Sequence, residues 1–188
     1  MSMIERMRET NYLKYAVPGS MTASRPILGA RGMVAAWRGD WVSAERNFAA
    51  GFATDFEGTP ARLFDATSDL GSKADPVADF IIRAEALAAF FPTMNKAVWG
   101  GIVAGEVANL GMNSRIQKGR EHAYVPQEAK DGSGIQAAGA VLYMESMRRN
   151  SPDLKVTAEG AMALGTAKRV RKYVSLYRHP EQIPTENT

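Results

Sequence analysis

Six carboxylates crowd the stretch from Thr54 to Asp79, TDFEGTPARLFDATSDLGSKADPVAD: Asp55, Glu57, Asp65, Asp69, Asp75 and Asp79. Asp75 and Asp79 are four residues apart, a spacing that on a helix sets both carboxylates on one face, where they could share a hard divalent cation through oxygen. Upstream, Thr54, Glu57, Gly58 and Ala61 fall on one helical stripe, and its small residues leave room for a ligand or another backbone to come close. Arg62 follows, and its planar fork suits a phosphate because it can bind two oxygens at once. The same residues also read as caps, turns and a solvated charged face, since isolated Asp and Glu are mostly surface residues. Spacing alone leaves both readings open.

Composition narrows the chemistry. The 188 residues contain no cysteine, which excludes disulfides and thiolate metal sites, and His122 and His179 are the only histidines, which argues against a histidine-rich metal centre or Ser-His-Asp chemistry. A catalytic role therefore has to rest on carboxylates. The net charge of +3 suits an anionic membrane surface, a phosphorylated substrate or nucleic acid without choosing among them. Length and even composition predict one domain over residues 1–188, with no repeat or low-complexity segment and with 179–188 as a flexible tail.

The elements that must position the acidic stretch read as helices, with no alternating strand. Residues 1–16 are predicted as a short basic amphipathic helix carrying Arg6, Arg8 and Lys14, with no signal-peptide core, and Pro18 is predicted to break the chain after it. The next helix is expected to end near Trp37, with Arg38-Gly39-Asp40 as a turn before a helix starting at Trp41. Trp37 and Trp41 suit a membrane interface and the aromatics of a helix hairpin equally well. Further helices are expected over Phe80–Phe91, Lys96–Met112, Ile135–Arg149 and Ala158–Arg178, the last two separated by Asn150-Ser-Pro-Asp153. No segment has the ~18 consecutive apolar residues that mark a membrane span. Charges such as Arg31, Glu85, Glu106 and Arg169 interrupt the candidate helices, so sequence physics by itself predicts a soluble all-helical protein.

The acidic stretch resembles the signature of the CDP-alcohol phosphatidyltransferase family, D-x-x-D-G-x-x-A-R followed after eight residues by G-x-x-x-D-x-x-x-D. Gly58, Ala61, Arg62, Gly71, Asp75 and Asp79 stand in register with it, and Asp75-Pro-Val-Ala-Asp79 resembles the phosphatidylglycerophosphate synthase branch. Thr54 and Glu57 occupy the first two Asp positions, although Thr54-Asp55 also reads as the family's Thr-Asp with one residue lost. Asp55 and Glu57 lie about 200° apart on an ideal helix, so both face one metal only if the helix is locally distorted. Flanking segments resemble the family more loosely. Pro18-Gly-Ser-Met-Thr22-Ala-Ser-Arg25 is similar to Pro-Asn-x-x-Thr-x-x-Arg with Gly19 for Asn, and Gly105-Glu106 is similar to an Arg-Glu pair with Gly for Arg. Lys130–Gln136 is similar to Lys-x-Lys-Thr-x-x-Gln, with Gly132 and Ser133 replacing the second Lys and the Thr.

The resemblance implies an all-α, six-helix bundle preceded by the N-terminal amphipathic helix, embedded in a membrane as a multi-pass homodimer. It implies transfer of a phosphatidyl group from CDP-diacylglycerol to an alcohol, glycerol 3-phosphate being the acceptor the Asp75–Asp79 segment favours, with release of CMP. One or two Mg²⁺ or Mn²⁺ ions would be held by Glu57, Asp75 and Asp79, with Asp55 as a further donor, and Asp79 would take the proton of the acceptor hydroxyl. Gly58, Ala61, Arg62 and Gly71 match positions that admit and hold the cytidine diphosphate, and Lys130 and Arg115 are candidates for a phosphate of acceptor or lipid. The changes at Thr54 and Glu57 also fit a catalytically silent relative that acts as a binding or structural module. A third reading, a nucleic-acid surface on Lys168, Arg169, Arg171, Lys172 and Arg178, lacks any recognised motif, and no nucleic-acid partner is expected.

Overall fold

The computed structural model describes residues 12–53, 69–118 and 124–183, with side chains over 22–53, 77–118 and 124–183. These residues form six α-helices and no strand: α1 Tyr12–Trp37, α2 Trp41–Ala53, α3 Asp69–Phe90, α4 Lys96–Ile116, α5 Gln127–Arg149 and α6 Pro152–Arg178, followed by a 3-10 turn at Pro180–Gln182. The all-α, six-helix expectation is borne out. The chain divides into two compact units, residues 1–89 and 90–188.

In the first unit α1 is continuous through Pro18 and Pro26, which corrects the break expected at Pro18. A proline inside a helix deletes one backbone hydrogen bond and crowds the carbonyl four residues back, at about 3 kcal/mol. Against that cost stands a stripe spaced four, three and four residues apart, Arg25, Gly29, Gly32 and Ala36, which is buried along the helix. Small residues on this stripe let neighbours come close: a Cβ at Gly32 would stand 2.7 Å from the Phe48 ring on α2. Phe48 stacks on Phe52, and α2 reaches α3 where a Cβ at Gly51 would stand 2.3 Å from Ile82 Cδ1. The turn between α1 and α2 is the one expected. Gly39 takes φ +78°, and Asp40 caps α2 by accepting from Ser43 N–H at 3.0 Å. Trp37 is exposed, and its Nε1–H donates to the Ala88 carbonyl at 3.3 Å; with Arg25 meeting Asp79 earlier on both helices, α1 and α3 run side by side in the same direction.

Glu85 is the unusual member of this unit. Its Oε2 is enclosed against α1, 1.9 Å from where a Cβ at Gly29 would lie, and has no hydrogen-bond partner. Loss of solvation pushes the carboxyl up to about 7.

In the second unit α5 and α6 form an antiparallel hairpin. Both start earlier than expected, α5 at Gln127 rather than Ile135 and α6 at Pro152 rather than Ala158. The glycines at 132 and 134 suggest a loop, but Gly132 and Gly165 are where the two backbones meet. A Cβ at Gly165 would stand 2.5 Å from the Gly132 carbonyl oxygen and 2.7 Å from Gln136 N. The hairpin turn is correspondingly short. Asn150 closes α5 in the left-handed conformation (φ 50°), and Ser151 caps α6 with Pro152 in its first turn. Asn95 caps α4, accepting from Ala97 N–H and Val98 N–H, while its own N–H donates to Glu159 on α6 at 3.0 Å. Tyr143, Phe90, Met144 and Met162 fill the core around the hairpin, and the Tyr143 hydroxyl meets Thr93 Oγ1 at 3.0 Å. A smaller cluster of Ile116, Ala129, Tyr173 and Leu176 takes Ile183 against it.

Two outcomes are expected. Gly165→Ala forces a methyl into backbone and should cost about 1–3 kcal/mol or more, read as a lower denaturant midpoint at unchanged slope. For Glu85, the folded-state pKa lies above the unfolded value. The stability it permits is therefore complete below about pH 4.5 and is lost as pH rises through about 7. Glu85→Gln should remove that decline and raise the melting temperature above pH 7 relative to the parent protein.

Candidate functional site

Five of the signature residues, Asp55, Glu57, Gly58, Ala61 and Arg62, lie outside the described residues. The other three share α3, where Gly71, Asp75 and Asp79 succeed one another every four residues and so fall on one helical face. Asp79 is the one whose side chain is described. Its Oδ1 accepts from Arg25 Nη1 of α1 at 2.6 Å, in an ion pair whose arginine is 5% exposed while the Asp79 side chain is 25% exposed. The structure thus joins two segments fifty-four residues apart, the Pro18–Arg25 segment and the end of the acidic stretch. Sequence reasoning noticed Arg25 but assigned it no role at the site.

Among the described residues no group of three His, Asp or Glu side chains could hold a metal ion. The donors that α3 does supply, carboxylate oxygens at i and i+4, have the hardness that Mg²⁺ or Mn²⁺ requires. Of these carboxylates, Asp79 alone has a described side chain.

A second polar cluster lies inside the second unit. Arg169 Nη1 of α6 donates to Glu106 Oε1 of α4 at 2.6 Å and to Gln136 Oε1 of α5 at 3.0 Å. Gln136 Nε2 donates to Glu106 Oε1 at 3.0 Å and to Thr166 Oγ1 at 3.1 Å. All four side chains are buried. One turn beyond Glu106, Asn109 is 2% exposed with neither amide atom hydrogen-bonded. Burial of Arg169 removes it from the cationic surface on which a nucleic-acid reading relied. The signal that could have found it is the apolar stripe Ala158, Met162, Gly165, Tyr173 and Leu176, on which position 169 falls.

Three of the remaining cations have side-chain partners. Lys168 pairs with Asp131 at 3.3 Å and Lys172 with Glu128 at 2.7 Å. Hydrogen bonds from Gln127 first and from Lys168 hold the Asp131 carboxyl below its usual range. Arg115 donates to the Tyr177 hydroxyl at 2.8 Å. Lys130 is exposed in the first turn of α5.

A family model described as CDP-alcohol phosphatidyltransferase matches residues 15–148, and the chain belongs to that family. No curated protein and no solved structure matches it. The family consists of phosphotransferases that act on CDP-alcohols in phospholipid synthesis, uses divalent metals in general and is typically membrane-embedded. Among the described residues no helix is long and apolar enough to cross a membrane.

The buried pair yields a test of its own. Breaking one partner leaves an uncompensated buried charge, so Arg169→Met should destabilise the protein by about 3–5 kcal/mol. Adding Glu106→Gln should recover much of the loss, and a double-mutant cycle in urea measures the coupling.

Proposed function

We propose that this protein transfers a phosphatidyl group from CDP-diacylglycerol to the hydroxyl of a small alcohol, glycerol 3-phosphate in the first instance, with release of CMP. The observation that carries this reading is the partly exposed Asp79 carboxylate, set by α3 on the same face as Asp75 and Gly71 and held by Arg25. Membership of the family over residues 15–148 supports it, and the lipid donor places the reaction at a membrane surface.

The chain's own residues divide the work as follows. Asp79 takes the proton of the acceptor hydroxyl as its oxygen attacks the phosphorus that carries the diacylglycerol. The new P–O bond forms while the bond to the bridging oxygen of CMP breaks, and CMP leaves with that oxygen. Gly58, Ala61 and Gly71 admit the cytidine diphosphate, Arg62 binds its phosphates, and Lys130 offers a cation to the phosphate of the acceptor. Glu57, Asp75 and Asp79, with Asp55, are the residues that would hold a divalent ion, which when bound neutralises the pyrophosphate. Glu57 reaches a methylene further than the Asp it replaces, and Thr54 brings no charge. One ion is therefore bound well and a second weakly.

The second reading, a silent relative kept as a binding or structural module, rests on Thr54 at the first acidic position. The two are separated by following labelled glycerol 3-phosphate onto CDP-diacylglycerol in detergent micelles with Mg²⁺ or Mn²⁺. Transfer is expected in the parent protein and should fall by about 10²–10⁴-fold in Asp79→Asn. No transfer to any acceptor from folded protein would favour the silent relative.

A further inference from the structure

Arg25 and Asp79 are not buried alike. The Arg25 side chain is 7% exposed, on the stripe of α1 that continues into Gly29, whereas the side chain it holds is 25% exposed. A pair that served only to tie α1 to α3 would have no reason to present its acid. The contact is made at one carboxylate oxygen: Nη1 donates to Oδ1 at 2.6 Å.

We propose that Arg25 is the positioning residue of the transfer site: by holding Oδ1 of Asp79 it makes Oδ2 the oxygen that meets the acceptor hydroxyl. The inference rests on the phosphatidyl-transfer reading of Asp79. Chemistry favours arginine for this task. A guanidinium stays charged throughout turnover, so it remains a donor to Oδ1 before and after Oδ2 takes the hydroxyl proton. Its planar, rigid head also directs its donors in a way that the flexible point charge of a lysine does not. Arg25 itself is anchored. One turn further along α1, Gly29 lies flush against Glu85 and Ile82 of α3, which fixes the spacing of the two helices beside the ion pair.

Arg25 also bears on metal affinity, in the opposite direction from its effect on turnover. A guanidinium bonded to a carboxylate that would hold a cation would repel that cation. Removing the guanidinium favours the metal, while letting the carboxylate rotate harms the proton transfer. A purely structural tether, once cut, would weaken metal binding and turnover together.

The experiment compares the full-length parent, Arg25→Met and Arg25→Lys in detergent micelles. It measures kcat and KM for CDP-diacylglycerol, Mn²⁺ affinity by calorimetry without substrate, and the melting temperature. For Arg25→Met, kcat should fall about 10²-fold, KM should stay within about twofold, and Mn²⁺ should bind at least as tightly as in the parent. Arg25→Lys should recover part of kcat. The proposal is overturned if Arg25→Met turns over like the parent, or if its Mn²⁺ affinity and melting temperature drop along with kcat. Should Arg25→Met fail to fold, Arg25→Lys decides: a kcat reduced about tenfold or more at parental Mn²⁺ affinity supports positioning, and a parental kcat overturns it. A parent that transfers to no acceptor overturns both this inference and the functional reading beneath it, whereas an active parent matched by Arg25→Met overturns this inference alone.

Discussion

A charge taken out of water has to meet its opposite inside the protein, and that constraint shapes both units of this chain. In the first unit Arg25 of α1 closes on Asp79 of α3, and in the second Arg169 of α6 closes on Glu106 of α4, each at 2.6 Å. Neither contact is the product of local sequence; each is made by helices distant in the chain. An ion pair of this kind adds little net stability, because desolvation offsets most of the attraction. What it does supply is register, since sliding either helix by one residue would swing its charge out of reach. Glu85 shows the alternative solution. With Oε2 enclosed and unbonded, its carboxyl is pushed up to about 7, so burial favours its uncharged form.

These pairs form only if the helices approach closely enough, and glycine sets that distance. At Gly132 and Gly165 the backbones of α5 and α6 are within reach of a single methyl, which brings Gln136, Thr166 and Arg169 to one point. The expected start of α5 at Ile135 left Gly132 outside the helix. Glycines at 132 and 134 cost helix propensity and look like a loop, because propensity is local while their use is tertiary. Pro18 misled in the same way: it lowers helix stability locally, yet the packed stripe of α1 carries the helix through it. Where the stop signal and the tertiary structure agree, the sequence was readable. Gly39-Asp40 made the turn expected of them, as did the break between α3 and α4, which Asn95 closes as the cap of α4.

The chemistry was legible in a different measure. Helical spacing shows that Gly71, Asp75 and Asp79 share a face, because that follows from 3.6 residues per turn whatever the rest of the fold does. Spacing could not show that Arg25 is the partner of Asp79, since a contact across fifty-four residues depends on how α1 and α3 pack. Arg169 was hidden for a related reason. It sits in a run with Lys168, Arg171 and Lys172 that reads as a solvated basic face, while its burial is decided by the phase of the apolar stripe beneath. Charge runs advertise composition, and function follows phase.

The two ion pairs, similar in length, differ in what they leave open. Glu106, Gln136, Thr166 and Arg169 satisfy one another behind a closed surface, and such a network specifies how α4, α5 and α6 fit together. Thr166 and Arg169 also lie beyond the residues matched by the family model, so the closed network is assembled in part from sequence outside the shared stretch. Arg25 and Asp79 both lie within it, and there the acid keeps a quarter of its surface. A reacting carboxylate must be reachable by its substrate and yet fixed in direction, two demands that full burial and full exposure each fail. Among the described residues, the buried pair of Arg25 and Asp79 meets both demands, and that is the physical ground on which we propose the transfer chemistry at α1 and α3.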